Sequence, residues 1–284
     1  MGRRELLLWA GVYLLANNLV GALTAAQADG AGWTWLHGSR FGGFDAIAWG
    51  VALWRLSKTP ARAATRREIA LVLALCLVGG LVRQEAAMFA LTGLGLWLLA
   101  NEEPEGRGAA VVLLAIASHQ LWGRLLFSAI SAEAVRGDAA LVGSALSWAI
   151  KGVRWRANII TMPGGFSIEV LEGCSSFTNV SAALLAWVAF AKLERLAWTP
   201  RDAWVGLAAA AMQVALNVAR LCLIAQSLPM FDYWHDGQGA QIYAAVASAA
   251  AVLIAVIGTR WAGGTRWAGG TRWAGGTRWA ERRA

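Results

Sequence analysis

Long apolar stretches, broken by short charged or glycine-bearing connectors, run through almost the whole chain. Eight of them read as membrane-crossing helices, at about 5–26, 41–57, 68–84, 86–100, 109–130, 175–191, 203–225 and 239–258. A crossing helix needs ~20 mostly apolar residues, because a rise of ~1.5 Å per residue must cover a hydrocarbon core ~30 Å thick. The second to fourth stretches are shorter and fit tilted or partly re-entrant pairs. Gly79, Gly80, Gly93 and Gly95 would let neighbouring backbones approach closely there. The pattern changes in mid-chain, at 131–174. Two β-prone runs, Asn158–Met162 and Phe166–Val170, flank Pro163-Gly164-Gly165 and predict a hairpin. Alternation puts Phe166, Ile168 and Val170 on one face and Ser167 and Glu169 on the other. The expected architecture is an all-α polytopic membrane protein with one integral domain over 1–258. Its 131–174 segment would project before the sixth span, and residues 259–284 would form a tail.

Composition agrees. Hydrophobic residues make up 58% of the 284 positions, and mean hydropathy is +0.50, values that exclude an ordinary soluble domain. The net charge of +8 would suggest nucleic acid in a soluble protein, but the basic residues sit in short loops between apolar runs. That placement sets membrane orientation and argues against a nucleic-acid partner. With the N-terminus inside, one side collects Arg3, Arg4, Arg55, Lys58, Arg62, Arg66, Arg67, Arg107, Lys192, Arg195, Arg201 and the arginines of the tail. The other receives Arg40, Arg83, Arg136, Lys151, Arg154 and Arg156, most of them in the longer segment, whose charge matters less. Both termini are therefore expected inside and 131–174 outside. Residues 1–28 also resemble a secretory signal ending in Ala26-Gln27-Ala28, but the apolar run exceeds a usual signal core and favours a retained anchor. Trp33, Trp35, Trp54, Trp198, Trp204 and Trp234 fall near expected interfaces. From Thr259 a Thr-Arg-Trp-Ala-Gly-Gly unit repeats, with a truncated last copy ending at Ala280. This basic-aromatic tail is expected to lie on the anionic inner leaflet.

Chemistry concentrates at Cys174, in Leu171-Glu172-Gly173-Cys174-Ser175-Ser176, where the second β-prone run meets the sixth apolar stretch. Unpaired amides and the helix dipole favour a thiolate at such a junction. Ser175 or Ser176 is expected to cap the following helix. Cys76 and Cys222 lie inside apolar runs and read as packing residues. The wide spacing of the three cysteines matches no zinc pattern, and nothing indicates a metal or organic cofactor. Arg220, in Asn217-Val218-Ala219-Arg220, lies ~25 Å along the seventh stretch, near its outer boundary. His235, in Tyr233-Trp234-His235-Asp236-Gly237, is expected in the outer loop before the eighth span. Histidine exchanges protons near neutral pH, arginine stays cationic, and cysteine can carry an acyl group. Three weak signals on one side suggest attack on an amide at the membrane surface. His119, Gln120 and Arg124 of the fifth stretch are further polar candidates, since intramembrane polar groups usually face the bundle.

At these residues the sequence resembles the exosortase/archaeosortase family of multi-spanning transpeptidases. Glu172-Gly173-Cys174-Ser175-Ser176 is similar to the family's Glu-x-Cys-Ser-Gly-like box, with Ser176 in place of the usual glycine. Asn217-Val218-Ala219-Arg220 fits its Asn-x-x-Arg-like box, and His235 its later basic residue. The resemblance implies a membrane cysteine peptidase/transpeptidase, multi-pass in a prokaryotic cytoplasmic membrane, with its site facing the extracytoplasmic side. Its partners would be exported proteins ending in a short motif, a hydrophobic helix and a basic end, cleaved with possible transfer to a cell-surface acceptor. It also implies roles: Cys174 the nucleophile, Arg220 the oxyanion or thiolate stabiliser, His235 the acid/base, with Glu172, Asn217 and Asp236 in support. Two other readings compete, a small-solute transporter built on the polar groups of spans five and seven, and a non-catalytic factor for envelope polysaccharide assembly. The two halves show no convincing repeat of the kind transporters favour.

Overall fold

A computed structural model describes residues 1–28, 41–81 and 84–264. The expectations for Trp33, Trp35, Arg40, Arg83 and the tail beyond Gly264 fall outside these residues. Ten α-helices occur among them: α1 (Arg3–Ala28), α2 (Gly43–Ser57), α3 (Arg66–Gly79), α4 (Gln84–Asn101), α5 (Pro104–Ala117), α6 (Gly123–Ala149), α7 (Phe177–Glu194), α8 (Pro200–Ile224), α9 (Leu228–His235) and α10 (Gln238–Ala262). Local chemistry sets several starts. Thr65 accepts from Glu68 N while its own N–H donates to the Glu68 carboxylate, a reciprocal cap on α3. Pro104 and Pro200 open α5 and α8, where a missing N–H costs nothing.

Two packed groups form the bundle. In the first, α1 to α5 enclose a core that includes Leu7, Leu14, Trp49, Leu91, Leu98 and Leu113. In the second, α7, α8 and α10 pack mutually, and α2 and α5 join the groups by lying against α7. The glycines of α4 allow the close approach expected of them. A Cβ at Gly95 would fall 2.8 Å from Leu114, and one at Gly93 would fall 2.9 Å from Leu75.

Among the described residues, four helical stretches are long and apolar enough to cross a membrane: Arg3–Thr24, Pro104–Ala149, Pro200–Ile224 and Gln238–Ala262. The other expected spans are shorter or more polar at their ends; the 15 and 14 residues of α2 and α3 rise only ~22 Å and ~21 Å. The largest difference from the sequence reading is at the fifth span. It does not stop near 130 but continues through a five-residue π-helical turn, Ser118–Trp122, into α6, for 46 residues in all. A rise of ~69 Å exceeds any hydrocarbon core, so part of this helix must stand outside it. The extension persists because Val135, Ala139, Val142 and Leu146 form one apolar stripe that is buried against the segment that follows.

That segment folds as a three-stranded antiparallel sheet, β1 (Arg154–Arg156), β2 (Ile159–Thr161) and β3 (Ser167–Glu169), in sequence order. Ile160 faces Ile168 across β2 and β3, and both are buried with Val170 against α6, while Ser167 and Glu169 are exposed. The strand Arg154–Arg156 was not expected from the sequence pattern. Gly165, at φ +84°, supplies the left-handed residue of the β2–β3 turn. The first copy of the C-terminal repeat also differs from a free tail, because α10 runs to Ala262. Thr259 is buried, and Ala262 O accepts from Thr199 Oγ1 at 3.3 Å.

Candidate active site

Alternating helix direction brings the start of α7, the end of α8 and the start of α10 to one end of the bundle. A short 3-10 turn, Glu172–Cys174, joins the sheet to α7 and leaves Cys174 half-buried just before that helix. Its backbone is held from both sides. Cys174 N donates to Leu171 O at 2.9 Å, and Asn217 Nδ2, from α8, donates to Cys174 O at 2.9 Å. Asn217 is itself oriented by Tyr243 of α10, whose hydroxyl donates to Asn217 Oδ1 at 3.3 Å and accepts from Asn179 Nδ2 at 2.7 Å.

His235 closes the short helix α9, where the sequence suggested a loop. Ser227, accepting from Met230 N, and Pro229 in the first turn are what start that helix. The imidazole stacks on Phe231, and its Nε2 stands 3.8 Å from Cys174 Sγ, across 61 residues of sequence. On the other ring nitrogen, Asp236 Oδ1 is 3.0 Å from Nδ1 without the alignment of a hydrogen bond, and the Asp236 side chain is 80% exposed. Arg220 sits just before the last turn of α8. Its Nε donates to Trp234 O at 3.1 Å, and its guanidinium carbon lies 4.8 Å above the Tyr243 ring. Thiol, imidazole and guanidinium therefore share one neighbourhood, tied together by Trp234, Tyr243 and Asn217.

Glu172 is exposed and reaches a different feature, a cavity of about 610 Å³ beside the thiol turn. Asp45, His119, Gln120, Arg124, Asn179 and Ser181 also line it. The π-helical turn supplies His119 and Gln120, and such turns often mark functional sites. Gln120 Nε2 donates to the buried Asp45 Oδ1 at 2.7 Å, and His119 Nδ1 is 2.9 Å from Ser181 Oγ. Behind them, Gln84 Nε2 donates to Asn18 Oδ1 at 3.0 Å. Cys76 packs at the edge of the first core, away from this site. Cys222 belongs to the same apolar cluster as Cys174.

The expected serine cap takes a different form. Ser176 occupies the cap position of α7 in a helical conformation, so its hydroxyl does not reach the helix amides. Both serine hydroxyls donate to Asp138 of α6, and only Ser175 Oγ also accepts, from Phe177 N at 3.3 Å. Asp138, Tyr243 and Asn179 are the site residues missed in the sequence. For Asp138 a signal existed: it interrupts the apolar stripe Val135, Ala139, Val142, where a charged residue needs a partner.

The fold defines a multi-pass membrane protein with a thiol among polar groups at one end of its helices. Residues 35–253, most of the chain, match the family model of the transmembrane exosortases (Exosortase_EpsH), and all the boxes around Cys174, Arg220 and His235 lie within that match. The chain belongs to the exosortase family. Comparison with curated proteins and with solved structures found no match.

Proposed function

We propose that this protein is a membrane-embedded cysteine peptidase/transpeptidase that cleaves C-terminal sorting signals of exported proteins at the extracytoplasmic face. The observation that carries the reading is the 3.8 Å approach of Cys174 Sγ to His235 Nε2, with Arg220 held beside them. His235 Nε2 takes the thiol proton as Cys174 Sγ attacks the carbonyl carbon of the scissile amide. Arg220 stabilises the oxyanion that forms, a charge present only after attack and therefore a source of rate rather than of ground-state binding. Collapse breaks the C–N bond, and His235 returns the proton to the departing amine. The remaining thioester is then opened by an acceptor amine, or by water, which regenerates the thiol. Asn217 holds the Cys174 carbonyl, while Glu172, two residues before the thiol, lines the neighbouring cavity.

The proposed side rests on charge. Arg3, Arg55, Arg62, Lys192 and Arg195 cluster at helix ends opposite the thiol, and an excess of basic residues marks the cytoplasmic side. The test is Cys174→Ala co-expressed with an exported protein bearing a tail of short motif, apolar helix and basic end. Processing of that tail is expected to stop while the variant inserts at the normal level. Continued cleavage by a fully inserted variant sinks the reading and returns the transport and assembly alternatives.

A further inference from the structure

Asp138 is 4% exposed and accepts three hydrogen bonds, all from the two residues that follow the thiol. Ser175 Oγ donates to its Oδ2 at 2.8 Å, Ser176 N to the same oxygen at 3.0 Å, and Ser176 Oγ to Oδ1 at 2.9 Å. A carboxylate buried this deeply is costly without partners, and here every partner comes from the thiol's own turn. Its helix is anchored independently. Trp155 of β1 packs on α6 at Gly143, where a Cβ would fall 2.6 Å from the indole Cγ, and Ile160, Ile168 and Val170 fill the stripe below. The order of support therefore runs from sheet to α6, from α6 to Asp138, and from Asp138 to the residues after Cys174. Asn217 holds the Cys174 carbonyl from the opposite side.

We propose that Asp138 is the positioning residue of the reaction, fixing Cys174 toward His235 by clamping Ser175 and Ser176. The extension of α6 beyond the expected span is then the platform that carries this clamp. Ser176, where the family pattern has glycine, gains a defined role, because its hydroxyl supplies the third donor. Asp138 touches no reacting atom, so its loss lowers turnover through misplacement of the sulfur and leaves substrate binding nearly unchanged. The inference rests on the thiol reading above.

The experiment uses the full chain and a tail substrate, with kcat and KM measured separately. Asp138→Ala is expected to lower kcat about 100-fold, the scale of an ångström-level misplacement, with KM little changed. Asp138→Asn is expected to recover most of that loss. Its amide oxygen can accept from Ser175 Oγ and Ser176 N, and Ser176 Oγ can rotate to accept from the amide. The double variant Ser175→Ala, Ser176→Ala should lower kcat at least about tenfold, and adding Asp138→Ala should cost little more, since residues of one network are non-additive. A kcat for Asp138→Ala within about threefold of the parent, or losses that simply add, overturns the proposal. If Asp138→Ala fails to insert, the serine pair decides: a kcat within about threefold overturns it equally. A second readout separates this inference from the peptidase reading. In a Cys76→Ala, Cys222→Ala background, alkylation of Cys174 by iodoacetamide should quicken in Asp138→Ala, as the freed turn exposes the thiol, and return in Asp138→Asn. Should Cys174→Ala still cleave, the peptidase reading falls and alkylation alone judges Asp138; an unchanged alkylation rate overturns it.

Discussion

The two ends of the bundle are built from different chemistry. At the end that carries the N-terminus, charges are paired and most of them are buried. Arg3 meets Glu68 at 2.5 Å and also Glu102, Arg62 meets Glu68 at 2.6 Å, and Arg55 meets Glu105 at 2.7 Å. Arg55 also donates to Lys192 O at 2.6 Å, and Arg195 pairs with Asp202 at the start of α8. These contacts fall into three groups, which tie α1 to α3, α2 to α5 and α7, and the end of α7 to the start of α8. At the thiol end the buried Asp138 is held by serine hydroxyls and a backbone amide rather than by a cation, a cavity of about 610 Å³ opens between helices, and Cys174, Arg220 and His235 are each only half-buried. Buried paired charges tolerate no rearrangement, because separating them strands a charge out of water. Half-buried groups beside open volume can receive a substrate. One end fixes the helices; the other leaves room for chemistry.

Substitutions at the two ends should separate activity from stability. The largest effect on turnover outside the thiol itself is expected from His235→Ala, about 10²- to 10⁴-fold in kcat, the usual contribution of a positioned acid/base group. Because the ring is half-exposed, the thermal unfolding midpoint of the same preparation should hardly move. Arg3→Ala should do the reverse. It leaves Glu102 buried without its cation and Glu68 with Arg62 alone, and is expected to cost about 3–5 kcal/mol of stability. Tail cleavage per folded molecule should stay unchanged; a large drop in kcat would mean the two ends are mechanically coupled. The smallest effect belongs to Asp236→Asn. With its side chain 80% exposed, its pairing with His235 is worth at most about 1 kcal/mol, so kcat should fall less than about fivefold. A loss comparable to that of His235→Ala would show that Asp236 orients the imidazole during the reaction.

Much of this contrast was already legible along the chain. The Glu172–Ser176 and Asn217–Arg220 boxes, with His235, marked the thiol end, and the basic residues of short connectors marked the other. Asp138 was legible only as a charge in an apolar stripe, without its partner, and Tyr243 was not legible as a site residue. Nothing in Ala134-Val135-Arg136-Gly137-Asp138 says that the fifth span would continue as a helix past the expected boundary. That continuation depends on burial of Val135, Ala139, Val142 and Leu146 by a sheet formed later in sequence. Tyr243 joins the site only because α10 packs on α8 and brings its hydroxyl to Asn217.

Composition and periodicity by themselves determined that the chain lives in a bilayer, since so many apolar residues in long runs have no other stable solvent. The residue types in the ordered boxes also marked which side chains could carry reactive chemistry, because thiol, guanidinium and imidazole are properties of single residues. Only the tertiary structure decided the distance between sulfur and imidazole, the partner of the buried Asp138 and the length of the helix that holds it. Those depend on contacts between residues tens of positions apart, where the gain from burying one surface is settled by whichever other surface arrives to cover it.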